Sequence, residues 1–190
     1  MLEAAGISHR VLDTGIDDAE LDPPGGRVDN PAAWVTALAY LKAQAALPQA
    51  AHGDVILAAD TTCVMDGRVI GQPRDDGHAA SMLMGFLGRS HDVLTGLCLL
   101  EAGSTRRTLC HDRAVVSMGF VPMRDVSSYI ASGEWRGKAG GYNFTQRVEA
   151  GWPLQVRGDP DTVVGLPIRM VRSMLRQHAA SGGTVIGAGA

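Results

Sequence analysis

Val55-Ile56-Leu57-Ala58-Ala59-Asp60-Thr61-Thr62 is the stretch on which the reading of this chain turns. Five apolar residues in a row predict a buried strand, and an acid and two hydroxyls arrive at its C-terminal end. α/β enzymes commonly present a general base or metal ligand at such a place. Asp is just as readily a strand cap or the first residue of a turn, so the stretch alone leaves both uses of Asp60 open. Asp66-Gly67 just downstream is a two-residue hairpin signal, and Gly71-Gln72-Pro73 lies beyond it.

Upstream, the pattern predicts a short strand over 7–12, then an acidic Gly/Pro-rich loop containing Asp17-Asp18 and Pro23-Pro24-Gly25-Gly26. Asn30-Pro31 supplies an N-cap residue and a proline at the first helical position. The helix it opens runs to about Leu47, with Trp34, Leu38, Leu41 and Ala45 on one face and Lys42 among small alanines. Downstream, Asp75-Asp76 cap a second helix with the stripe Ala79, Met82, Leu83, Phe86 and Leu87. Strands follow over Asp92–Glu101 and within Thr105–Val121, and Pro122 starts a third helix ending near Ser132-Gly133. A glycine-rich loop, Gly137-Lys138-Ala139-Gly140-Gly141, precedes strands expected around Tyr142–Val148 and Leu154–Arg157. Pro167 opens a final helix to about His178. Hairpins and strand–helix–strand units together predict an α/β fold with a mixed, twisted sheet flanked by helices.

Bulk properties narrow the function classes. The chain has 190 residues, enough for one domain with a sizeable core; we assign that domain to 1–178 and a flexible, small-residue tail to 179–190. Apolar residues make up 45% and charged residues 19%, which argues against disorder. A net charge of −3 with no Lys/Arg run gives a nucleic-acid surface little electrostatic support. Small anions need only a few placed donors and stay within range. Cys63, Cys98 and Cys110 are odd in number and sit in apolar stretches, reading as reduced thiols of a cytoplasmic protein. No stretch reaches the ~18 apolar residues of a membrane span, and the first residues lack the basic and apolar regions of a signal peptide.

Three further segments could carry chemistry. In His91-Asp92-Val93-Leu94-Thr95-Gly96, His91 reads as a general base or a strand-edge hydrogen-bonding group, and Thr95-Gly96 as a place where a backbone or ligand comes close. In Lys138-Ala139-Gly140-Gly141-Tyr142, the lysine and loop N–H groups could cradle phosphate, or the loop could be a plain turn. Thr162-Val163-Val164-Gly165-Leu166-Pro167 reads as an apolar strand breaking into a helix, whose N-terminus could take an anion or simply pack. The chain contains no G-x-S-x-G elbow, no G-x-x-x-x-G-K-[ST] loop and no G-x-G-x-x-G.

Taken in order, Ala39–Ala43 with Lys42, Val55–Thr61, Gly71-Gln72-Pro73, His91–Gly96, Lys138–Tyr142 and Val163–Pro167 resemble the Maf family of nucleoside triphosphate pyrophosphatases over nearly the whole chain. The resemblance implies two lobes around a deep cleft and hydrolysis of a nucleoside triphosphate to the monophosphate and pyrophosphate with a divalent metal, Mg or Mn. It implies Asp60 as the proton acceptor that activates water, and as the candidate metal ligand. Thr61 would be a substrate-selecting neighbour, and Lys42 and Lys138 would lie at the phosphates. The selective glutamine after the family's Lys-Ala-Gly motif falls on Thr145 without a gap, or on Gln146 with one inserted residue.

The sequence also departs from that pattern. Family members open with a strand and a Ser-x-Ser-Pro-Arg-Arg loop that grips the triphosphate; here Met1–Ile7 resembles the helix end just after it, so a strand-sized gap in the sheet is expected. Losing one such donor costs ~3 kcal/mol of transition-state stabilisation. Gln72 stands where the family usually has lysine, and Asp18 where it has glutamate. Two readings follow: an active pyrophosphatase whose start lies upstream, or a degenerate, weakly active Maf-like protein that binds nucleotide or a cell-division partner. The resemblance favours dTTP/UTP-type substrates over modified nucleotides, and leaves open metal identity and a homodimer.

Overall fold

A computed structural model describes residues 1–16, 23 and 27–180. Its centre is a five-stranded sheet of order β2-β1-β3-β4-β5, with β1 Val55–Met65, β2 Arg68–Ile70, β3 Arg89–Glu101, β4 Arg107–Met118 and β5 Leu154–Arg157. Among the described residues six α-helices surround it: α1 Pro31–Ala46, α2 Asp76–Phe86, α3 Met123–Ser132, α4 Phe144–Glu149, α5 Pro160–Val164 and α6 Ile168–Ala180. The sheet-and-helix architecture is the expected one, and every pairing among the described strands is antiparallel. None of the described helices is long and apolar enough to cross a membrane.

Local signals set most boundaries. The Asn30 side chain accepts a hydrogen bond from Ala33 N at 3.0 Å and Asp75 from His78 N at 2.7 Å, capping α1 and α2 as their sequences demand. Asp66 (φ 52°) and Gly67 (φ 72°) make the β1–β2 hairpin turn, both central residues having the positive φ that such a turn requires.

Side-chain alternation along β3 organises the rest. Leu94, Gly96, Cys98 and Leu100 face α1, whereas Val93, Thr95, Leu97 and Leu99 face the opposite side. On that second side Val93 joins the α2–α3 core with Phe86 and Tyr129, while Leu97 and Leu99 pack under Val171 and Met174 of α6. Thr95 sits between the two clusters. Gly96 explains how tightly α1 lies on its side: a Cβ there would stand 2.5 Å from Val35 O and 2.7 Å from Thr36 Cα.

That close approach corrects the expected face of α1. The buried residues are Val35, Leu38, Ala39, Ala43 and Ala46, and Leu41 is 48% exposed. Small side chains take the contact because the helix backbone nearly touches the strand; bulk alone was a poor guide. Three strand expectations also fail. Residues 7–12 form no ladder; they are tied down by Arg10, whose Nη2 donates to Gln49 O (2.9 Å) and Asp54 Oδ2 (3.0 Å). The segment after Tyr142 is helix α4, because the Asn143 side chain accepts from Gln146 N at 3.0 Å. Thr162–Val164 lies in the one-turn helix α5, started by Asp159 and Pro160 and ended by Gly165 at φ 106°. Asp60 itself lies in mid-strand, since β1 continues to Met65. Asp18 and residues 181–190 lie outside the described residues.

Candidate active site

β1 pairs with β3 from Val55 to Val64 but with β2 only from Cys63 to Met65. Among the described strands, then, the outer edge of β1 before Cys63 has no neighbour. A cleft of about 280 Å³ runs along this edge and takes consecutive residues Ala59–Cys63 from both faces of the strand. One wall is the row Trp34, Leu38 and Lys42 on α1, spaced four residues apart so that they share a helix face. The other is Gly71-Gln72, the Gly137–Ala139 loop, Tyr142–Thr145 and Val163-Val164.

Lys42 Nζ stands 2.5 Å from Asp60 Oδ1 at the cleft floor. The antiparallel register puts Asp60 opposite Gly96, on the α1 side, and the close packing that Gly96 permits brings Lys42 within reach. Asp60 is 8% exposed, so its charge is held by specific partners rather than bulk water. Among the described residues that line the cleft, Asp60 is the only carboxylate, and Lys42 and Lys138 are the cations. That balance suits an anionic ligand.

The glycine-rich loop is pinned, not loose. Gly140 N donates to Gly71 O at 2.9 Å and the Tyr129 hydroxyl donates to Gly141 O at 3.1 Å. A Cβ on Gly140 would meet Cys63 Sγ at 2.9 Å, and one on Gly141 would meet Pro73 Cγ at 3.0 Å. The loop therefore needs both glycines to sit against β1 and the Gly71-Gln72-Pro73 segment, which presents Lys138 at the cleft; its ammonium donates to Glu134 O. Thr145 lines the cleft and Gln146 does not; Gln146 lends its backbone N–H to the Asn143 cap. Thr61 Oγ1 and Thr95 Oγ1 are 2.8 Å apart. Sequence reasoning missed Trp34 and Leu38 as cleft residues, because each reads locally as ordinary core, whereas Tyr142 and Val163-Val164 come from segments singled out for other uses.

His91 is not in the cleft. It is buried behind Tyr142, shares a 2.8 Å hydrogen bond between Nε2 and the Tyr142 hydroxyl, and lies 4.1 Å from the Phe86 ring centre. Burial lowers its pKa to about 4, with Asp92 pulling the other way, so the ring is neutral at pH 7. Because the unfolded chain binds a proton near pH 6.5 and the folded chain does not, this group's stabilisation is complete above pH 6.5 and declines as pH falls towards 4. The expected loss is about 3 kcal/mol, and urea midpoints from pH 7.5 to 4.5 should fall less steeply in His91→Gln. Cys63 also borders the cleft, but burial pushes its thiol up to about 12, leaving it protonated and a poor nucleophile.

The described residues contain no group of three His, Cys, Asp or Glu side chains able to cage a metal. One cleft carboxylate does suit an ion such as Mg²⁺ that shares substrate phosphate oxygens and keeps waters of its own.

Comparison with known proteins agrees with this architecture. Residues 1–178 match the family model described as Maf-like protein. A dTTP/UTP pyrophosphatase of Pelotomaculum thermopropionicum is 34% identical over 177 residues, covering 93% of this chain and 89% of the relative. Another, from Rhizobium meliloti, is 36% identical over 181 residues, covering 88% and 87%. A third, from Nitrosomonas europaea, is 32% identical over 188 residues, covering 95% and 89%. The order of motifs, the cleft they build and these matches lead to one assignment: the chain belongs to the Maf family.

Proposed function

We propose that the protein hydrolyses a nucleoside triphosphate, dTTP or UTP, to the monophosphate and pyrophosphate. The Lys42–Asp60 pair at the floor of a cationic cleft carries this reading; the names of the relatives supply the substrate class. Asp60 takes a proton from a water as its oxygen bonds to the α-phosphorus, and the bond from that phosphorus to the bridging oxygen breaks. Pyrophosphate leaves with the electron pair. A carboxylate in hydrogen-bond reach of water suits the first task. Lys42 and Lys138 neutralise charge that spreads over the phosphate oxygens, and positioned cations are the main source of acceleration in such transfers. A bound Mg²⁺ or Mn²⁺ would supply further charge neutralisation there, with Asp60 as the cleft side chain able to reach it. Thr61 and Thr145 face the nucleoside.

Gln72 favours a second reading, a nucleotide-binding protein with weak turnover, because an amide lines the cleft where a cation would strengthen phosphate binding. A panel of nucleoside triphosphates with Mg²⁺ or Mn²⁺, assayed for pyrophosphate, separates the two. Release from dTTP or UTP supports hydrolysis, whereas saturable binding without release supports the second reading. Gln72→Lys is expected to raise kcat/KM roughly fivefold, the value of a partly solvated charge-assisted contact. An unchanged value would place Gln72 away from the phosphates.

A further inference from the structure

We infer that a hydrogen-bond relay from Thr61 through Thr95 to the Thr162 carbonyl makes the cleft select a nucleobase with a ring N–H, as in uracil and thymine, over one with a ring lone pair at the same place, as in cytosine. The inference rests on the proposed nucleotide reading and specifies how that site chooses its base.

A hydroxyl has one proton and two lone pairs. Thr95 is fully buried, and its Oγ1 lies 2.7 Å from Thr162 O, a carbonyl that can only accept. Thr95 therefore spends its proton on Thr162. In the 2.8 Å contact with Thr61 it can then only accept, so Thr61 donates. What Thr61 has left for the cleft is a lone pair. Its hydroxyl is an acceptor there.

The fold holds this polarity in place. Thr61, Thr95 and Asp112 are cross-strand neighbours on β1, β3 and β4. The Thr162 hydroxyl donates to Asp112 Oδ2 at 2.6 Å, which fixes the residue whose carbonyl orients the relay. Gly165 closes the other side, for a Cβ there would lie 3.2 Å from Thr61 Oγ1. This side of β1 also carries the apolar cleft residues Ala139, Phe144, Val163 and Val164, whereas Lys42 packs from the α1 side. A flat base fits against those four apolar side chains. Uracil or thymine N3–H then meets an acceptor. Cytosine N3 would set one lone pair against another and leave both groups unsatisfied, the kind of mismatch that discriminates most strongly.

The test is equilibrium binding of α,β-imido UTP and α,β-imido CTP, with Mg²⁺, to the full chain by calorimetry, alongside pyrophosphate release from UTP and CTP. The wild type should bind the uridine analogue at least about tenfold more tightly, equivalent to one satisfied hydrogen bond. Thr95→Ser keeps the hydroxyl and should keep the ratio. Thr95→Val keeps the shape but frees the Thr61 proton to turn into the cleft, so the ratio should collapse to within about twofold. Thr61→Val, which removes the acceptor, should lose the ratio as well, and serves if Thr95→Val does not fold. A wild type without preference, or either valine variant that retains it, overturns the relay. If UTP and CTP are hydrolysed at equal efficiency, the hydrolase reading stands and the relay falls. If the binding ratios behave as expected while no pyrophosphate is released, the relay stands and the hydrolase reading falls. Failure of the wild type to bind either analogue overturns both.

Discussion

Asp60→Asn is expected to lower kcat for pyrophosphate release from dTTP or UTP by about 10²–10⁴-fold, the range that one positioned general base contributes. The substitution preserves shape, and the amide cannot take a proton from water. It also removes the negative partner that stands 2.5 Å from Lys42 Nζ. The ammonium is then freer to bind triphosphate, so KM should stay level or fall while kcat collapses. Initial rates at saturating and limiting substrate read the two separately. Turnover at the wild-type rate would remove Asp60 from the chemistry.

Gly96→Val is expected to destabilise the protein by about 4 kcal/mol or more, beyond ordinary overpacking, because the obstacle is main chain rather than a side chain that can turn away. Even the first carbon would stand 2.5 Å from Val35 O and 2.6 Å from Val35 C. Relief requires α1 to lift from β3, and α1 carries Trp34, Leu38 and Lys42 of the cleft. Urea unfolding should show a much lower midpoint, and the variant's residual folded fraction should have weakened triphosphate binding. A wild-type midpoint would mean that α1 does not lie against β3 as described.

Features written in local chemistry are legible in the sequence. Asn30-Pro31 and Asp75 announced helix starts because a side-chain oxygen that satisfies free N–H groups acts within three residues. Asp66-Gly67 announced its hairpin because two positive φ values are rarely met otherwise. At Asn143 and Asp159 apolar and β-branched neighbours suggest strands, but a capping side chain opens a helix. In the cleft, Asp60, Thr61, Lys42, Lys138 and Thr145 all line the walls, each from a stretch singled out beforehand. Thr95-Gly96 reads as a site of close approach, and the partner is the backbone of α1.

What the chain did not disclose depends on pairing between distant strands. Nothing near Thr95 reveals that it stands opposite both Thr61 and Asp112, or that Thr162 lends it a carbonyl. The α1 face is hidden for the same reason: which side of an alanine-rich helix goes down is decided by a glycine some 60 residues away in sequence. His91 behaved as the milder of its two readings, a buried hydrogen-bonding ring, with Tyr142 rather than a strand edge as its partner.

The most direct test of the account is the position of bond cleavage. The protein would be incubated with UTP and Mg²⁺ in water enriched in oxygen-18, and the products resolved by phosphorus NMR. Attack of water on the α-phosphorus predicts uridine monophosphate carrying the heavy oxygen and unlabelled pyrophosphate. Release of uridine diphosphate with labelled inorganic phosphate, or label in the pyrophosphate, would contradict it.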